Sequence, residues 1–326
     1  MKIELAIYEH KAALLGLSPR EVAYNADLLA QSVLTEWETY DADYLTVGLD
    51  IYNVEAEACG ALVSGGSEKD CPVIRTPLFS LDALPARLPA VDVRNAGRFP
   101  LLLQAGLQAA AMLQGEAKVR VGISGPCSFA SRLVGISELM AGLLLQPEAC
   151  RRLLDYCLDI CLEWISLLAN NGLEVVIFDS AASPPLISPA LYRNIIQPYH
   201  AGMMERLSSH AQEERPLIVG GDTGRIVRDM FDAGANYLIC DYSADPVRFA
   251  AEAAKCRGLI VRRNIDPAAL MSGETDLGPV CGKLCRDMSL FEKPIAGTGI
   301  LPYDIAVVDV WRFLTTLKGL SAEYTE

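Results

Sequence analysis

The chain has 326 residues, of which 51% are hydrophobic and 21% are charged, and this composition excludes a disordered or fibrous protein. Its 41 acidic residues against 28 basic ones give a formal net charge of -13, which would repel phosphate backbones and anionic lipid. Because no basic patch offsets this charge, we expect neither nucleic-acid nor membrane binding.

The first residues hold no apolar run of signal-peptide length, and the most apolar stretch is interrupted by Gln104 and Gln108. The ten cysteines are scattered through a large apolar chain, which favours a reduced cytoplasmic protein over a disulfide framework. Two cysteine pairs have the spacing of residues on one helix face: Cys157 with Cys161, and Cys281 with Cys285. Each pair would need two further ligands to hold a metal.

Short, almost continuously apolar runs alternate with amphipathic segments, which predicts a parallel sheet covered by helices. An eighth strand is expected near Val73–Arg75, and the absence of a Gly-rich phosphate motif after the first run argues against a dinucleotide-binding fold. We therefore predict an α/β fold, a single (β/α)8 TIM-type barrel over residues 41–326 with an N-terminal helical extension over residues 1–40. Seven runs predict strands: Tyr44–Asp50, Val119–Ser124, Val175–Asp179, Leu217–Gly221, Tyr237–Asp241, Leu259–Asn264 and Pro294–Ala296.

Acidic residues close most of these runs, at the edge of a barrel where active sites are built. Asp222 is equally well explained as a helix N-cap, whereas Ser188 already caps the helix after Asp179, so a site role is preferred for Asp179. Arg262 and Arg263 are adjacent in a strand, so only one of them can point into the barrel mouth. No histidine lies at a strand end, which argues against a histidine-based triad or a His-rich zinc site.

The motifs at the strand ends resemble, in order and over most of the chain from about Asp43, those of the uroporphyrinogen decarboxylase superfamily. The resemblance implies a (β/α)8 barrel, in agreement with the strand pattern. The matching segments are Asp50 with Glu55-Ala56-Glu57-Ala58, Gly125-Pro126 with Phe129-Ala130-Ser131, Phe178-Asp179-Ser180, Leu186-Ile187-Ser188-Pro189, Gln197-Pro198-Tyr199, Gly221-Asp222-Thr223, Ala233-Gly234-Ala235, Asn264-Ile265-Asp266-Pro267 and Gly297-Thr298-Gly299-Ile300-Leu301-Pro302.

The chain departs from both branches of that superfamily. Decarboxylases carry an N-terminal Arg-Gln-Ala-Gly-Arg segment and a histidine in the late glycine turn; the segment is not found here, and Thr298 takes the histidine position. Methylcobalamin:thiol methyltransferases bind a thiol-activating zinc through His-x-Cys and a late cysteine. Those three positions read Ile218, Gly220 and Thr298, so the family zinc site is expected to be absent.

The Asp50 to Ala58 pattern and the loop over residues 183–189 favour the methyltransferase branch. The resemblance therefore implies methyl transfer between a small substrate and a corrinoid carried by a partner protein. Two alternatives stay open: a uroporphyrinogen decarboxylase-type decarboxylase, and a repurposed, non-catalytic barrel that binds a small anionic ligand.

The strand ends and the motifs together define the candidate site. Aspartates there could donate a proton or hold a cation, and Arg263 indicates either an anionic substrate or an ion pair with one of them. Asp179→Asn is expected to abolish activity and to leave stability unchanged or improved. The catalytic candidates are Asp179, Asp222 and Asp241, and the substrate-binding candidates are Asp50, Asn53, Glu55, Ser124, Tyr199, Arg263, Asn264 and Thr298; no metal ligand is predicted.

Overall fold

The computed structural model describes residues 1–64, 67–273 and 276–323, and the side chains up to residue 320. Eight parallel strands form one sheet in the order β1-β8-β7-β6-β5-β4-β3-β2. The strands are β1 (Lys2–Glu4), β2 (Tyr44–Val47), β3 (Lys118–Ser124), β4 (Glu174–Phe178), β5 (Pro216–Ile218), β6 (Tyr237–Cys240), β7 (Ile260–Ile265) and β8 (Lys293–Thr298).

The two ends of this sheet, β1 and β2, meet at a short seam. The backbone N–H of Asp43 donates to the carbonyl oxygen of Ile3 at 3.0 Å, and the N–H of Ile3 donates to the Asp43 carboxylate at 2.7 Å. The sheet is thus a nearly closed barrel with helices around it, which confirms the predicted (β/α)8 fold.

The prediction of an eighth strand at Val73–Arg75 is wrong. Val73–Ile74 pairs antiparallel with Val63–Ser64 in a separate hairpin, and Lys2–Glu4 supplies the missing barrel strand by pairing with β8. The segment over residues 1–40, predicted to be helical, therefore contributes a barrel strand as well as helices. Its strand pattern is short: Ile3 and Leu5 are buried, but charged Lys2 and Glu4 alternate with them.

Helices surround the barrel, and several begin where sequence signals place a cap. The Ser188 hydroxyl accepts from the N–H of Leu191, and the Asp245 carboxylate accepts from the N–H of Val247, as expected for Ser-Pro and Asp-Pro starts. The α-helices are Glu9–Leu14, Pro19–Ala23, Ala26–Tyr40, Val54–Ala58, Phe99–Leu113, Pro126–Val134, Ile136–Leu145, Pro147–Asn170, Pro189–Leu191, Gln197–Ser209, Val227–Asp232, Pro246–Ala253, Ala268–Met271, Gly278–Met288 and Val307–Glu323.

The largest apolar core lies between the sheet and this helical layer. Trp164 of helix Pro147–Asn170 is fully buried there, with its ring centroid 4.7 Å from that of Phe99. Within the described part of the chain, no single helix is long and apolar enough to cross a membrane. Helices Pro126–Val134 and Ile136–Leu145 pass that length and composition test only as a pair, bent by 107°.

An ionic network fills the inside of the barrel, formed by Glu4, Arg120, Glu214, Tyr237 and Arg262. Arg120 contacts Glu214 and lies 3.5 Å from Glu4, and Arg262 pairs with the same Glu4. The Tyr237 hydroxyl also donates to Glu4, and its ring centroid lies 5.0 Å from the Arg120 guanidinium. Arg120, Arg262 and Glu4 are almost fully buried, so each charge depends on the others for compensation.

Candidate active site

A cavity of about 410 Å³ opens at the carboxyl ends of the strands, where barrel enzymes place their sites. Its lining combines charged, aromatic and aliphatic side chains. The charged residues are Glu9, Asp50, Arg132, Asp241 and Arg262, the aromatic ones Tyr8, Tyr52, Phe178 and Tyr242, the amides Asn53 and Asn264, and the aliphatic ones include Ile51, Ile218 and Ile239.

Asp50 follows β2 and lines the cavity as predicted, together with Asn53. The Arg98 guanidinium donates two hydrogen bonds of 2.7 Å to the Asp50 carboxylate, and the Asn53 amide donates a third at 3.1 Å. This buried carboxylate is therefore neutralised by a bidentate ion pair.

Asp241 and Asn264 follow β6 and end β7, and they meet at the cavity wall. The Asp241 carboxylate accepts from the Gly221 N–H at 3.1 Å and from the Asn264 amide at 3.4 Å. Asn264 is 4% exposed, and its carbonyl oxygen Oδ1 has no hydrogen-bond partner. A Cβ on Gly297 would lie 2.6 Å from that oxygen, so glycine at this position makes room for Asn264.

Thr298, at the end of β8, also lines the cavity. Its hydroxyl accepts a hydrogen bond of 3.2 Å from the N–H of Ala6, which ties the last strand to the segment after β1. With Asp50, Asn53, Asp241 and Asn264, it belongs to the predicted residues that the structure brings together.

Glu9 is a cavity residue that the sequence reasoning missed. Its Oε2 atom has no hydrogen-bond partner, and burial raises the pKa of its carboxyl group, with Asp70 and Asp50 adding to the rise. The available signal was the run from Ile3 to Ile7, which carries Glu9 to the barrel mouth once it is identified as a strand.

Asp179 does not line the cavity, so the prediction that it faces the mouth is wrong. Its fully buried carboxylate accepts from the N–H groups of Cys127 and Ser128 at 3.2 and 2.6 Å, and contacts His200 Nε2 at 2.8 Å. Asp179 therefore satisfies the N-terminus of helix Pro126–Val134. Only the helix that follows Asp179 in the chain had been considered as a capping partner.

Arg263 was also assigned to the wrong side of the barrel. Its guanidinium points outward and donates to Asp287 of helix Gly278–Met288 at 2.9 Å, whereas Arg262 faces the cavity. Arg263 thus forms an ion pair, but not with one of the strand-end aspartates as the alternative interpretation held: its partner is a helix residue that strand-end motifs do not reveal.

Asp222 and Tyr199 lie away from the cavity. Asp222 pairs with Arg248 at 2.7 Å and accepts from the Gly224 N–H at 3.1 Å. It does not cap the following helix, Val227–Asp232, whose N-cap residue is Ile226, so the capping alternative is wrong. The Tyr199 hydroxyl donates to Asp155 at 2.9 Å, between two outer helices.

Glu55 and Ser124 are paired with each other outside the cavity lining. The Glu55 carboxylate accepts from the backbone N–H of Ser124 at 2.9 Å and from its hydroxyl at 2.8 Å. Burial raises the pKa of Glu55 to about 7, because no cation forms an ion pair with it among the described residues.

The three positions that hold zinc in the methyltransferase branch all line the cavity as Ile218, Gly220 and Thr298. None of these side chains is a zinc ligand of the usual kind. Over residues 1–64, 67–273 and 276–323, no group of three or more His, Cys, Asp or Glu residues could hold a metal ion. The donor set therefore does not fit the thiol-activating zinc of that branch.

The fold is a TIM barrel with a cavity at the carboxyl ends of its strands, the place where barrel enzymes have their active sites. The family model "Uroporphyrinogen decarboxylase (URO-D)" matches residues 6–292. The chain belongs to the uroporphyrinogen decarboxylase family, as its motifs predicted.

Individual relatives fall into two kinds of enzyme. The chain is 23% identical over 265 residues to the methylcobamide:CoM methyltransferase MtaA of Methanosarcina barkeri, covering 80% of this chain and 76% of that protein. It is 26% identical over 287 residues to a uroporphyrinogen decarboxylase of Xanthomonas campestris pv. campestris, covering 80% of this chain and 74% of that protein. A solved methyltransferase from Methanosarcina mazei shares the fold with a TM-score of 0.81 at 19% identity, covering 98% of this chain and 93% of the other.

Proposed function

We propose that the protein is a methyltransferase that moves a methyl group between a small substrate and a corrinoid carried by a partner protein. Similarity to the methylcobamide:CoM methyltransferase and to the methanogen methyltransferase supports this branch. Since Ile218, Gly220 and Thr298 do not fit the thiol-activating zinc, we favour the half-reaction that removes a methyl group from a donor.

The balance of charge around the cavity is the observation that favours the methyltransferase branch over the decarboxylase branch. Uroporphyrinogen has several carboxylates, and a decarboxylase needs several cationic side chains to hold them. Among the described residues, Arg132 is the one cavity cation without a carboxylate partner, because Arg262 is paired with Glu4. Glu9 and Asp241 line the same cavity and form no ion pair with a described residue.

The side chains can bind and orient a methyl donor. Glu9 and Asp241 offer carboxylate oxygens to a leaving heteroatom in its protonated or cationic form. The rings of Tyr8, Tyr52 and Phe178 exclude water around the methyl group, and the bound corrinoid would supply the nucleophile that accepts the methyl group. Asp50 forms an ion pair with Arg98, so we assign it a role in the shape of the site and not in proton transfer.

The cytoplasm is part of the same proposal. All ten cysteines are free thiols in the structure, and most of them are buried, as expected for a chain that folds in a reducing compartment.

The test is methyl transfer to reduced cobalamin. The purified protein is mixed with cob(I)alamin and with methylated amines, methyl ethers or methyl thioethers, and the loss of the cob(I)alamin absorbance is followed. We expect turnover with one donor class, and a loss of about tenfold or more in Asp241→Asn, since one good polar contact is worth at least that factor.

Asp232→Asn is the matched control, because it makes the same change at a half-exposed ion pair on an outer helix. It should leave the rate unchanged. Enzymatic turnover of uroporphyrinogen, with no methyl transfer from any donor class, would show that the decarboxylase branch is the correct one.

A further inference from the structure

The cavity holds three charges that the protein itself does not neutralise. Asp50 is paired with Arg98, and Arg262 with Glu4. The remaining charged residues of the lining, Glu9, Asp241 and Arg132, form no ion pair with any described residue. The wall is thus left with two carboxylates and one guanidinium for a ligand to satisfy.

The cavity lining also contains two buried acceptor atoms without a partner, and aromatic rings. Asn264 Oδ1 is buried without a partner, and so is Glu9 Oε2. The rings of Tyr8 and Phe178 meet edge to face with centroids 6.1 Å apart. Aromatic rings beside carboxylates are the surroundings that bind alkylated ammonium groups, through cation–π attraction and ionic attraction together.

Arg132 is the cation of the lining that has no carboxylate partner among the described residues. It belongs to helix Pro126–Val134, is half-buried, and its guanidinium lies 5.8 Å from the ring centroid of Tyr52. It also lines a neighbouring cavity of about 430 Å³. No described residue accepts a hydrogen bond from it, so its planar donors are free for a carboxylate.

We propose that the cavity binds a small zwitterion that joins a methylated ammonium group to a carboxylate. The ammonium group lies against Glu9, Asp241 and the aromatic rings, and the carboxylate pairs with Arg132. This assignment rests on the proposed function, because it names the methyl donor.

The chemistry balances without an acid or a metal. When a quaternary ammonium loses a methyl group to a reduced corrinoid, the electrons of the broken C–N bond stay on nitrogen and the corrinoid provides the pair for the new bond. The leaving group is a neutral tertiary amine, so no proton is consumed. This suits a cavity whose family zinc positions hold Ile218, Gly220 and Thr298.

Calorimetric titration with three probes tests the assignment without any turnover. Glycine betaine carries both charges, 3,3-dimethylbutyrate replaces its nitrogen with carbon at the same shape, and choline lacks the carboxylate. We expect glycine betaine to bind at least about tenfold more tightly than either analogue, since each lost ionic contact costs more than 1.4 kcal/mol.

Variants test which residue binds the carboxylate of the ligand and which binds its ammonium group. Arg132→Gln should weaken glycine betaine about tenfold or more and leave choline unchanged, whereas Glu9→Gln should weaken both. Arg228→Gln, which removes a half-exposed outer-helix guanidinium, should change neither affinity. Thermal melting of each variant checks its folding, and Arg132 makes no hydrogen bond with a described residue whose loss would unfold the chain.

Equal affinity for glycine betaine and 3,3-dimethylbutyrate would overturn the proposal, as would the absence of binding at about 10 mM, well above usual KM values. Methyl transfer from a different donor, with no glycine betaine binding, would refute this ligand while the proposed function stands. Specific glycine betaine binding without methyl transfer to reduced cobalamin would uphold the ligand and refute the proposed function.

Discussion

The ionic network inside the barrel and the cavity above it are built from the same residue types but balanced differently. In the network, Arg120 and Arg262 are each set against buried or half-buried carboxylates. In the cavity, Glu9, Asp241 and Arg132 form no ion pair with any residue that the structure describes. Arg262 pairs with Glu4 of the network and also lines the cavity, so this one side chain connects the two regions.

The presence or absence of an ion-pair partner separates charges that stabilise the fold from charges that are accessible to a ligand. A buried charge with a partner becomes costly only when the partner is removed. An unpartnered charge beside a water-filled cavity adds little to folding and is free to act on a substrate. Stability measurements can therefore distinguish the two regions without knowledge of the reaction.

The largest loss of stability is expected from Arg120→Met. This change leaves buried Glu4 paired with Arg262 alone and removes one of the cations that pair with Glu214. We expect the free energy of unfolding to fall by about 3–5 kcal/mol in urea titrations, as for other broken buried ion pairs. Lys118→Met is the control, because that lysine pairs with the same Glu214 but is 34% exposed; a similar loss there would contradict the distinction.

A smaller loss is expected from Asp179→Asn, which reverses the expectation drawn from the sequence. The change weakens two hydrogen bonds from the start of helix Pro126–Val134 and the contact with His200. The free energy of unfolding should fall by about 1–3 kcal/mol, while glycine betaine affinity is retained. Unchanged stability with lost binding would restore Asp179 to the site.

The smallest effect concerns Glu55, a buried carboxylate that belongs to neither region. Between its ordinary pKa of 4.5 and its folded pKa of about 7, the folded protein keeps a proton that the unfolded chain has released. Stability is therefore lost as pH rises through that window. Glu55→Gln should remove this loss, a gain over the parent of about 1 kcal/mol at pH 5.5 relative to pH 4.5.

Glu148→Gln is the control for this pH series, since that side chain is 85% exposed. It should follow the parent curve at every pH. Parallel curves for Glu55→Gln and the parent would mean that Glu55 is ionised in the folded protein throughout.

The barrel could be predicted because its evidence is repeated along the chain. Each apolar run independently indicates a buried parallel strand, so an error in one of them leaves the fold class unchanged. The same logic placed Asp50, Asp241, Asn264 and Thr298 at one mouth, since all parallel strands end at the same edge.

What could not be predicted depends on neighbours from distant parts of the chain. Strand alternation lets only one of Arg262 and Arg263 face inward. The carboxylate that pairs with the outward-facing Arg263 is Asp287, which belongs to a later helix. Asp179 takes its role from the start of an earlier helix, Pro126–Val134. Glu9 was missed because β1 has three residues, too few for a periodic signal.

The pairing of β1 with β8 also determines when the site can exist during synthesis. Lys2 lies opposite Ile295, and the Ala6 N–H donates to the Thr298 hydroxyl, so β1 can complete this pairing only after β8 has been synthesised. Until residues 293–298 have emerged, Glu9 has no opposing wall and β1 keeps an unpaired edge that can join another chain. The cavity is therefore completed only after residues 293–298 have left the ribosome.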